Sequence, residues 1–221
     1  MTHILKSHPG VGIISEPYIA RLEQDLDDAQ AAELLLLLKY VSTELSQKKV
    51  IGIAEKAGMF IHGNFDRLIQ YFADRIILVV RDPRDCLVSA REKWFSSGKK
   101  SSFVDEDDYL VAYANLVGWC DEKNQEGIPL LPVRYEDLVQ NTREVVEKIL
   151  RFVNCNQQFD ETMYQAARNH FTSRGDRKLK EVGGIPHTKS LGRWKSELSS
   201  ADLDMISQHL ENVMLRFNYS E

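Results

Sequence analysis

Four short apolar segments, each followed by a stretch of helical character, constrain the fold of this chain most strongly. The segments are VGIIS (11–15), KVIGI (49–53), RIILVV (75–80) and IPLLPVRY (128–135). Their nearly continuous apolar content is typical of strands that are buried on both faces, and helices between them favour parallel pairing. The sequence therefore predicts a three-layer α/β fold in which a central parallel sheet is flanked by helices.

The helices of this fold are predicted from apolar residues that recur at helical spacing. They are expected at residues 30–46, 65–73, 85–95, 109–122, 142–153, 161–169 and 201–217, with a polar loop at 96–108. A chain of 221 residues with 43% hydrophobic residues is large enough to bury one core. We therefore predict a single domain over residues 1–221.

Charge, hydropathy and cysteine content limit the partners. The net charge of −5 argues against nucleic acid as a partner, because proteins that bind the phosphate backbone usually carry a basic surplus. The longest apolar run, residues 34–38, is too short for a membrane span. The chain has three widely spaced cysteines, and His62, His170, His187 and His209 share no ligand spacing. This pattern favours a reducing, cytoplasmic location and no metal site.

The third strand runs directly into the charged sequence RDPRD, residues 81–85. Ligands of parallel sheets bind beyond the carboxyl ends of the strands, and Arg81 lies there with a guanidinium suited to two phosphate oxygens. Ser89 follows two helical turns later, where its hydroxyl can donate to the same anion. Alternatively, the charges pair with one another at a strand-to-helix turn, with Asp85 as the N-cap and Ser89 unused. The residues alone leave both interpretations open.

Two further polar residues follow the first two strands. Glu16 comes after the first strand and Lys56 after the second, so both belong at the same edge of the predicted sheet. Each has a simpler interpretation. Glu16 can lie at the N-terminus of a helix that follows Pro17. Lys56 can pair with Glu55 in a surface turn.

Three segments of the chain resemble one enzyme family, in the order in which that family carries them. VRDPRDCLVS (80–89) is similar to the segment of sulfotransferases that binds the 3′-phosphate of 3′-phosphoadenosine-5′-phosphosulfate (PAPS). PVRYEDLVQNTREVVEKILRFV (132–153) resembles a strand of that family with its R-Y-E-D-L turn and following helix, and KSLGRWKSELSSADLDMI (189–206) resembles its terminal segment. The resemblance implies a fold of the P-loop nucleotide-transferase type and sulfuryl transfer from PAPS to a hydroxyl group.

The resemblance also implies roles for particular residues. Arg81 and Ser89 are expected to hold the 3′-phosphate, and Arg193 matches the family's basic residue directly before a tryptophan. Lys189 is a further candidate for the nucleotide phosphates, although a solvated loop lysine is the simpler interpretation. Tyr135 is expected near the nucleotide, or else packs on the sheet.

The front of the chain is most similar to the tyrosylprotein branch of the family and its bacterial relatives. SHPGVGIISEPY (7–18) places Glu16 where that branch has the base that deprotonates the acceptor hydroxyl. Lys56 lies twenty-five residues before Arg81, where the branch has a lysine that stabilises the leaving phosphate oxygen. The cytosolic branch has its base histidine at the position of Gly58, so the base is expected to be Glu16.

One family feature has no match in the sequence. The R-S-G-T-T loop that follows the family's first strand and binds the 5′-phosphosulfate is absent, and the alignment places Met1 just after it. The expectation is that the first strand and the loop are missing from this chain. An internal methionine of a longer enzyme, a truncated relic and a genuine binding module remain open explanations. An uncovered sheet edge favours a homodimer.

Two other functions remain alternatives. A catalytically inactive nucleotide-binding or interaction protein derived from a sulfotransferase would explain the missing loop. A kinase would share the sheet but needs a Walker lysine, which the sequence does not show. The sulfotransferase interpretation predicts PAPS as co-substrate, no metal, and a hydroxyl-bearing small molecule, glycan or peptide as acceptor.

Overall fold

The computed structural model describes five continuous stretches and eight single positions. The stretches are residues 10–15, 49–53, 75–95, 103–155 and 188–219, and the single positions are 5, 27, 29, 30, 33, 36, 37 and 40. Within these residues, no helix combines the length and the apolar content that a bilayer crossing requires.

The described strands and helices alternate along the chain. The strands are β1 (Val11–Ser15), β2 (Lys49–Ile53), β3 (Ile76–Val80) and β4 (Leu130–Arg134). The helices are α1 (Pro83–Ala90), α2 (Glu106–Gln125), α3 (Tyr135–Gln140), α4 (Thr142–Phe152), α5 (Trp194–Glu197) and α6 (Ser200–Arg216), with a π-helical turn at Arg91–Phe95 and a 3₁₀ turn at Thr188–Ser190.

These elements belong to two compact units. The first unit contains β1, β2 and α4, and β1 pairs with β2 in parallel, with Val11 opposite Lys49. In α4, the buried residues Val146, Ile149 and Leu150 recur at helical spacing and form its apolar stripe.

The second unit contains β3, β4, α1, α2, α5 and α6. β3 pairs with β4 in parallel, from Ile76 opposite Leu130 to Val80 opposite Arg134. Its hydrophobic core joins β3 to three helices. The core side chains include Leu78 and Val80 of β3, Leu87 of α1, Leu110 and Val117 of α2, and Ile206 and Leu210 of α6. This core fixes the carboxyl end of β3 against the start of α1.

The prediction of an α/β fold with parallel strands is confirmed, and each described strand lies within two residues of its predicted bounds. Residues 30, 33, 36, 37 and 40 of the predicted helix 30–46 are helical. The rest of that helix, and the predicted helices 65–73 and 161–169, lie outside the described residues. The single-domain prediction stays a prediction.

Two predicted helix starts are wrong, and capping carboxylates explain both. The helix predicted from residue 85 begins at Pro83, because Asp82 accepts a hydrogen bond from the backbone N–H of Arg84. The helix predicted from residue 109 begins at Glu106, because Asp105 caps it through the N–H of Asp108. Acidic residues in a first helical turn are favourable, although they make the same sequence resemble a polar loop.

The short helix α3 was not predicted as a separate element. The predicted strand 128–135 ends at Arg134, and α3 begins at the next residue. This abrupt change places the side chains of Tyr135 and Glu136 at the carboxyl end of the β3–β4 pair.

Candidate functional site

Arg81 lies immediately after β3, at the carboxyl end of the β3–β4 pair. Its Nη2 atom donates a hydrogen bond of 2.5 Å to the carbonyl oxygen of Ser190, and its guanidinium lies 5.1 Å from the ring centroid of Tyr135. The side chain is 19% exposed, and its Nε atom is buried without a hydrogen-bond partner among the described residues. The guanidinium is thus fixed in place from two sides, by Ser190 and by Tyr135.

The backbone of Arg81 is held by Tyr113 of α2. The Arg81 N–H donates to the tyrosine hydroxyl at 3.2 Å, and the hydroxyl donates to the Arg81 carbonyl oxygen at 2.8 Å. Burial raises the pKa of Tyr113 well above its ordinary value, so the hydroxyl keeps its proton and remains a donor. The backbone N–H and carbonyl oxygen of Arg81, which lie beyond the end of β3, thereby both have hydrogen-bond partners.

Asp82 and Arg84 form a buried ion pair at the start of α1. The Arg84 Nε and Nη2 atoms lie 3.0 and 2.8 Å from Asp82 Oδ1 and Oδ2, respectively. The Arg84 guanidinium stacks on Trp194, 3.8 Å from the ring centroid. This pair matches the alternative interpretation of residues 81–85, in which the charged side chains pair with one another.

Asp85 does not cap α1, so that part of the alternative interpretation is wrong. Its carboxylate is buried and accepts two backbone hydrogen bonds instead, from Gly192 N–H at 2.7 Å and from Trp194 N–H at 3.1 Å. Arg81 Nη2 lies 4.0 Å from Asp85 Oδ2, a longer separation than that of the Asp82–Arg84 pair. Arg81 and Asp85 together hold the segment 190–194 at the end of β3.

Glu136 connects three parts of the site. Its Oε1 atom accepts the backbone N–H of Asp82 at 2.9 Å, and its Oε2 atom accepts the hydroxyl of Tyr219 at 2.9 Å. Burial raises the pKa of Tyr219, and the adjacent Glu136 carboxylate raises it further, so the hydroxyl stays protonated. The start of α3 is thereby fixed against the start of α1.

Two of the residues that are predicted to bind the nucleotide, Arg81 and Tyr135, contact each other. A third such residue, Lys189, lies in the same region of the structure. The Tyr135 hydroxyl is 3.4 Å from Ser190 Oγ. Lys189 precedes Ser190 in the 3₁₀ turn, but its side chain falls outside the described part of the structure.

Arg193 is paired with two carboxylates. Its Nε and Nη2 atoms donate to Glu197 at 2.8 and 3.1 Å, and its Nη1 atom donates to Glu92 at 3.2 Å. The Glu197 hydrogen bonds, followed by that of Glu92, raise the pKa of Arg193. The side chain is 31% exposed, and exposed ion pairs are weak enough for a phosphate to replace the carboxylates.

The other predicted site residues are less constrained by the structure. Ser89 is half-buried near the carboxyl end of α1, and its sharing of an anion with Arg81 stays a prediction. Glu16 and Lys56 lie outside the described residues, and their catalytic roles also stay predictions. Within the described ranges, no group of three His, Cys, Asp or Glu residues could hold a metal ion.

Four contributors to the site were not predicted from the sequence: Tyr113, Asp85, Glu136 and Ser190. Of these, Asp85, Glu136 and Ser190 lie inside the segments that carry the family resemblance, so a structural role near the site could have been anticipated for them. Tyr113 is one of several aromatic residues of α2, and nothing in its spacing distinguishes it from a core residue.

The region that contains this site matches a protein family. A family model described as the sulfotransferase domain matches residues 61–218, which is more than two thirds of the chain. The chain belongs to the sulfotransferase domain family, and the predicted family is confirmed. The tyrosylprotein branch stays a prediction.

A curated relative supports the same family. The chain is 24% identical over 166 residues to a protein named 3-alpha-hydroxysteroid sulfotransferase from Cavia porcellus. The match covers 63% of this chain and 56% of that relative, so the aligned region spans little more than half of the relative's length.

Proposed function

We propose that the chain acts as a sulfotransferase that transfers a sulfuryl group from PAPS to a hydroxyl acceptor. The observation that carries this proposal is the guanidinium of Arg81, which Ser190 and Tyr135 fix at the carboxyl end of a parallel strand and which remains 19% exposed. It lies inside the segment that resembles the family's 3′-phosphate-binding segment. A fixed, partly exposed guanidinium is suited to the oxygens of a phosphate.

The nucleotide is held by two segments that meet at Arg81. Arg81 and Ser89 bind the 3′-phosphate, and Arg193 and Lys189 supply further positive charge from the 189–194 segment. Tyr135 lies beside the Arg81 guanidinium, so its ring belongs to the same nucleotide pocket. The Arg84 charge is neutralised by Asp82 and does not contribute a free cation.

The reaction is a single in-line displacement. The acceptor oxygen forms a bond to sulfur while the bond from sulfur to the phosphate oxygen breaks, and the desulfated nucleotide, adenosine 3′,5′-bisphosphate, leaves. Glu16 takes the proton of the acceptor hydroxyl, and Lys56 stabilises the negative charge that develops on the leaving oxygen. The transfer needs no metal.

The acceptor is a hydroxyl-bearing small molecule, glycan or peptide. The name of the Cavia porcellus relative supports a small hydroxylated molecule, whereas the SHPGVGIISEPY segment supports a tyrosine-containing peptide. Cys86, Cys120 and Cys155, all among the described residues, form no disulfide bond with one another, which supports a cytoplasmic location. A single domain and a homodimer are part of the same proposal.

A transfer assay with ³⁵S-labelled PAPS tests this proposal. The acceptor panel contains a simple phenol, a hydroxysteroid and a tyrosine peptide, and Glu16→Gln and Lys56→Ala are assayed beside the wild-type chain. Label transferred to one acceptor, and reduced at least about 100-fold by either substitution, supports the proposal. A chain that binds adenosine 3′,5′-bisphosphate but transfers no label to any acceptor is instead an inactive nucleotide-binding protein.

A further inference from the structure

The carboxylate of Asp85 has no part in the proposed sulfuryl transfer, yet it is among the most deeply buried charged groups in the described residues. It is 1% exposed and lies in the first turn of α1. A buried carboxylate is costly unless hydrogen-bond donors satisfy it. Its two oxygens accept the backbone N–H groups of Gly192 and Trp194, residues more than a hundred positions away along the chain.

These bonds fix the same segment that Arg81 contacts. Ser190 accepts from Arg81, while Gly192 and Trp194 donate to Asp85, so three alternate residues of the segment are held. Gly192 has φ +72°, a left-handed conformation that residues with a Cβ rarely adopt. This turn directs both N–H groups toward the single carboxylate.

The position of Arg81 depends on this segment. The Ser190 carbonyl oxygen accepts from Nη2, and the Tyr135 ring lies against the guanidinium, so the orientation of the guanidinium is set from two sides. If the segment moves, Arg81 loses the carbonyl acceptor. Its side chain is then free to leave this orientation.

We propose that Asp85 is a positioning residue for nucleotide recognition. Its carboxylate holds the segment 190–194, and the segment in turn holds Arg81 in the orientation that binds a 3′-phosphate. The inference rests on the proposed function, because it assigns Asp85 a part in the same site. It predicts that Asp85 acts through Arg81 and affects nucleotides only when they carry a 3′-phosphate.

The substitution Asp85→Asn tests this role, because an amide keeps the size of the side chain but replaces one acceptor oxygen with a donor. The matched control is Glu106→Gln, the same chemical change at a carboxylate that accepts two hydrogen bonds from Arg91. Calorimetry measures the Kd of adenosine 3′,5′-bisphosphate and of adenosine 5′-phosphate for each variant. Hydrogen exchange measures the protection of the Gly192 and Trp194 amides.

We expect Asp85→Asn to weaken binding of the bisphosphate about tenfold or more, while the Kd of the 5′-phosphate changes less than about twofold. The amides of Gly192 and Trp194 should exchange faster in Asp85→Asn. Glu106→Gln should change neither the Kd of the bisphosphate nor the exchange of these amides. In an Arg81→Ala background, Asp85→Asn should weaken binding of the bisphosphate less than it does in the wild-type chain, because the part of its effect that passes through Arg81 is already lost.

Several results would overturn the inference. Equal weakening of both nucleotides would assign Asp85 a general structural role, and unchanged amide exchange would show that it does not hold the segment. If Asp85→Asn fails to fold, Gly192→Ala strains the same turn while leaving Asp85 intact, and it must lower the preference for the bisphosphate. A wild-type chain without that preference contradicts the proposed function instead, and amide exchange still decides whether Asp85 holds the segment.

Discussion

Arg81 and Ser190 are joined by a hydrogen bond of 2.5 Å although they lie 109 residues apart in the sequence. The bond connects the two segments that resemble the nucleotide-binding parts of sulfotransferases. These segments carry their functional residues independently in the sequence, and the fold brings them to the carboxyl end of one strand. The fold thereby brings together the two segments that the proposed nucleotide site requires.

Arg81→Lys should weaken binding of adenosine 3′,5′-bisphosphate about tenfold, although the positive charge is kept. A lysine lacks the planar fork that donates to Ser190 and to a phosphate together, and it cannot stack on Tyr135 in the same way. Calorimetry measures the change. The control is Arg75→Lys, in the residue just before β3, where the guanidinium donates to the Phe152 carbonyl oxygen. Equal weakening by both substitutions would contradict a specific role of Arg81.

Asp82→Ala should lower the free energy of unfolding by about 3–5 kcal/mol, because it leaves the buried Arg84 without its carboxylate and removes the cap of α1. Urea unfolding measures the change. Removing both charges with Asp82→Ala/Arg84→Met should recover part of this loss. A single substitution that costs less than about 1 kcal/mol would contradict the importance of the Asp82–Arg84 ion pair, because it would show that other contacts of Arg84, such as the Tyr219 carbonyl oxygen, are sufficient.

The strands and the approximate position of the site could be predicted from the sequence, because strand burial and the RDPRD segment are local features. The roles of the individual charged residues could not be predicted from the sequence. Asp82 and Asp85 are both acceptable caps by residue type, and only the approach of Gly192 and Trp194 assigns Asp85 a different function. The pairing of Arg193 with Glu92 was likewise hidden, because the two residues lie 101 positions apart.

Stability should depend on Asp202 at acid pH. A hydrogen bond from Arg91 lowers the pKa of Asp202 below its ordinary value, so the folded chain binds this proton more weakly than the unfolded chain. The stabilisation is therefore present above the unfolded pKa of about 4 and is lost as the pH falls below it.

Asp202→Asn should remove this part of the pH dependence. We expect the free energy of unfolding of the variant to fall less steeply than that of the wild-type chain between about pH 5 and pH 2. Urea unfolding at a series of pH values measures both slopes. Asp204→Asn, an exposed position on the same helix, serves as the control and should keep the wild-type slope. Identical slopes for all three chains would contradict the role of the Arg91–Asp202 bond.

Cys86 and Cys120 should react slowly with thiol reagents in the folded chain. Burial raises the pKa of each thiol to about 12, so very little thiolate is present at pH 8. Iodoacetamide labelling followed by peptide mass spectrometry should show both residues at least about 100-fold slower than in urea. Rapid labelling of Cys86 in the folded chain would show that the region beside Arg81 opens.

Titration of the chain and of Arg81→Ala with adenosine 3′,5′-bisphosphate is the sharpest test of the assignment of Arg81 to the 3′-phosphate. We expect a Kd on the order of micromolar, weakened at least about 100-fold by the substitution, with much weaker binding of adenosine 5′-phosphate to the wild-type chain. Circular dichroism and thermal unfolding must show that the variant is folded. Equal affinity of the folded variant and the wild-type chain for the bisphosphate would contradict the assignment of Arg81 to the 3′-phosphate.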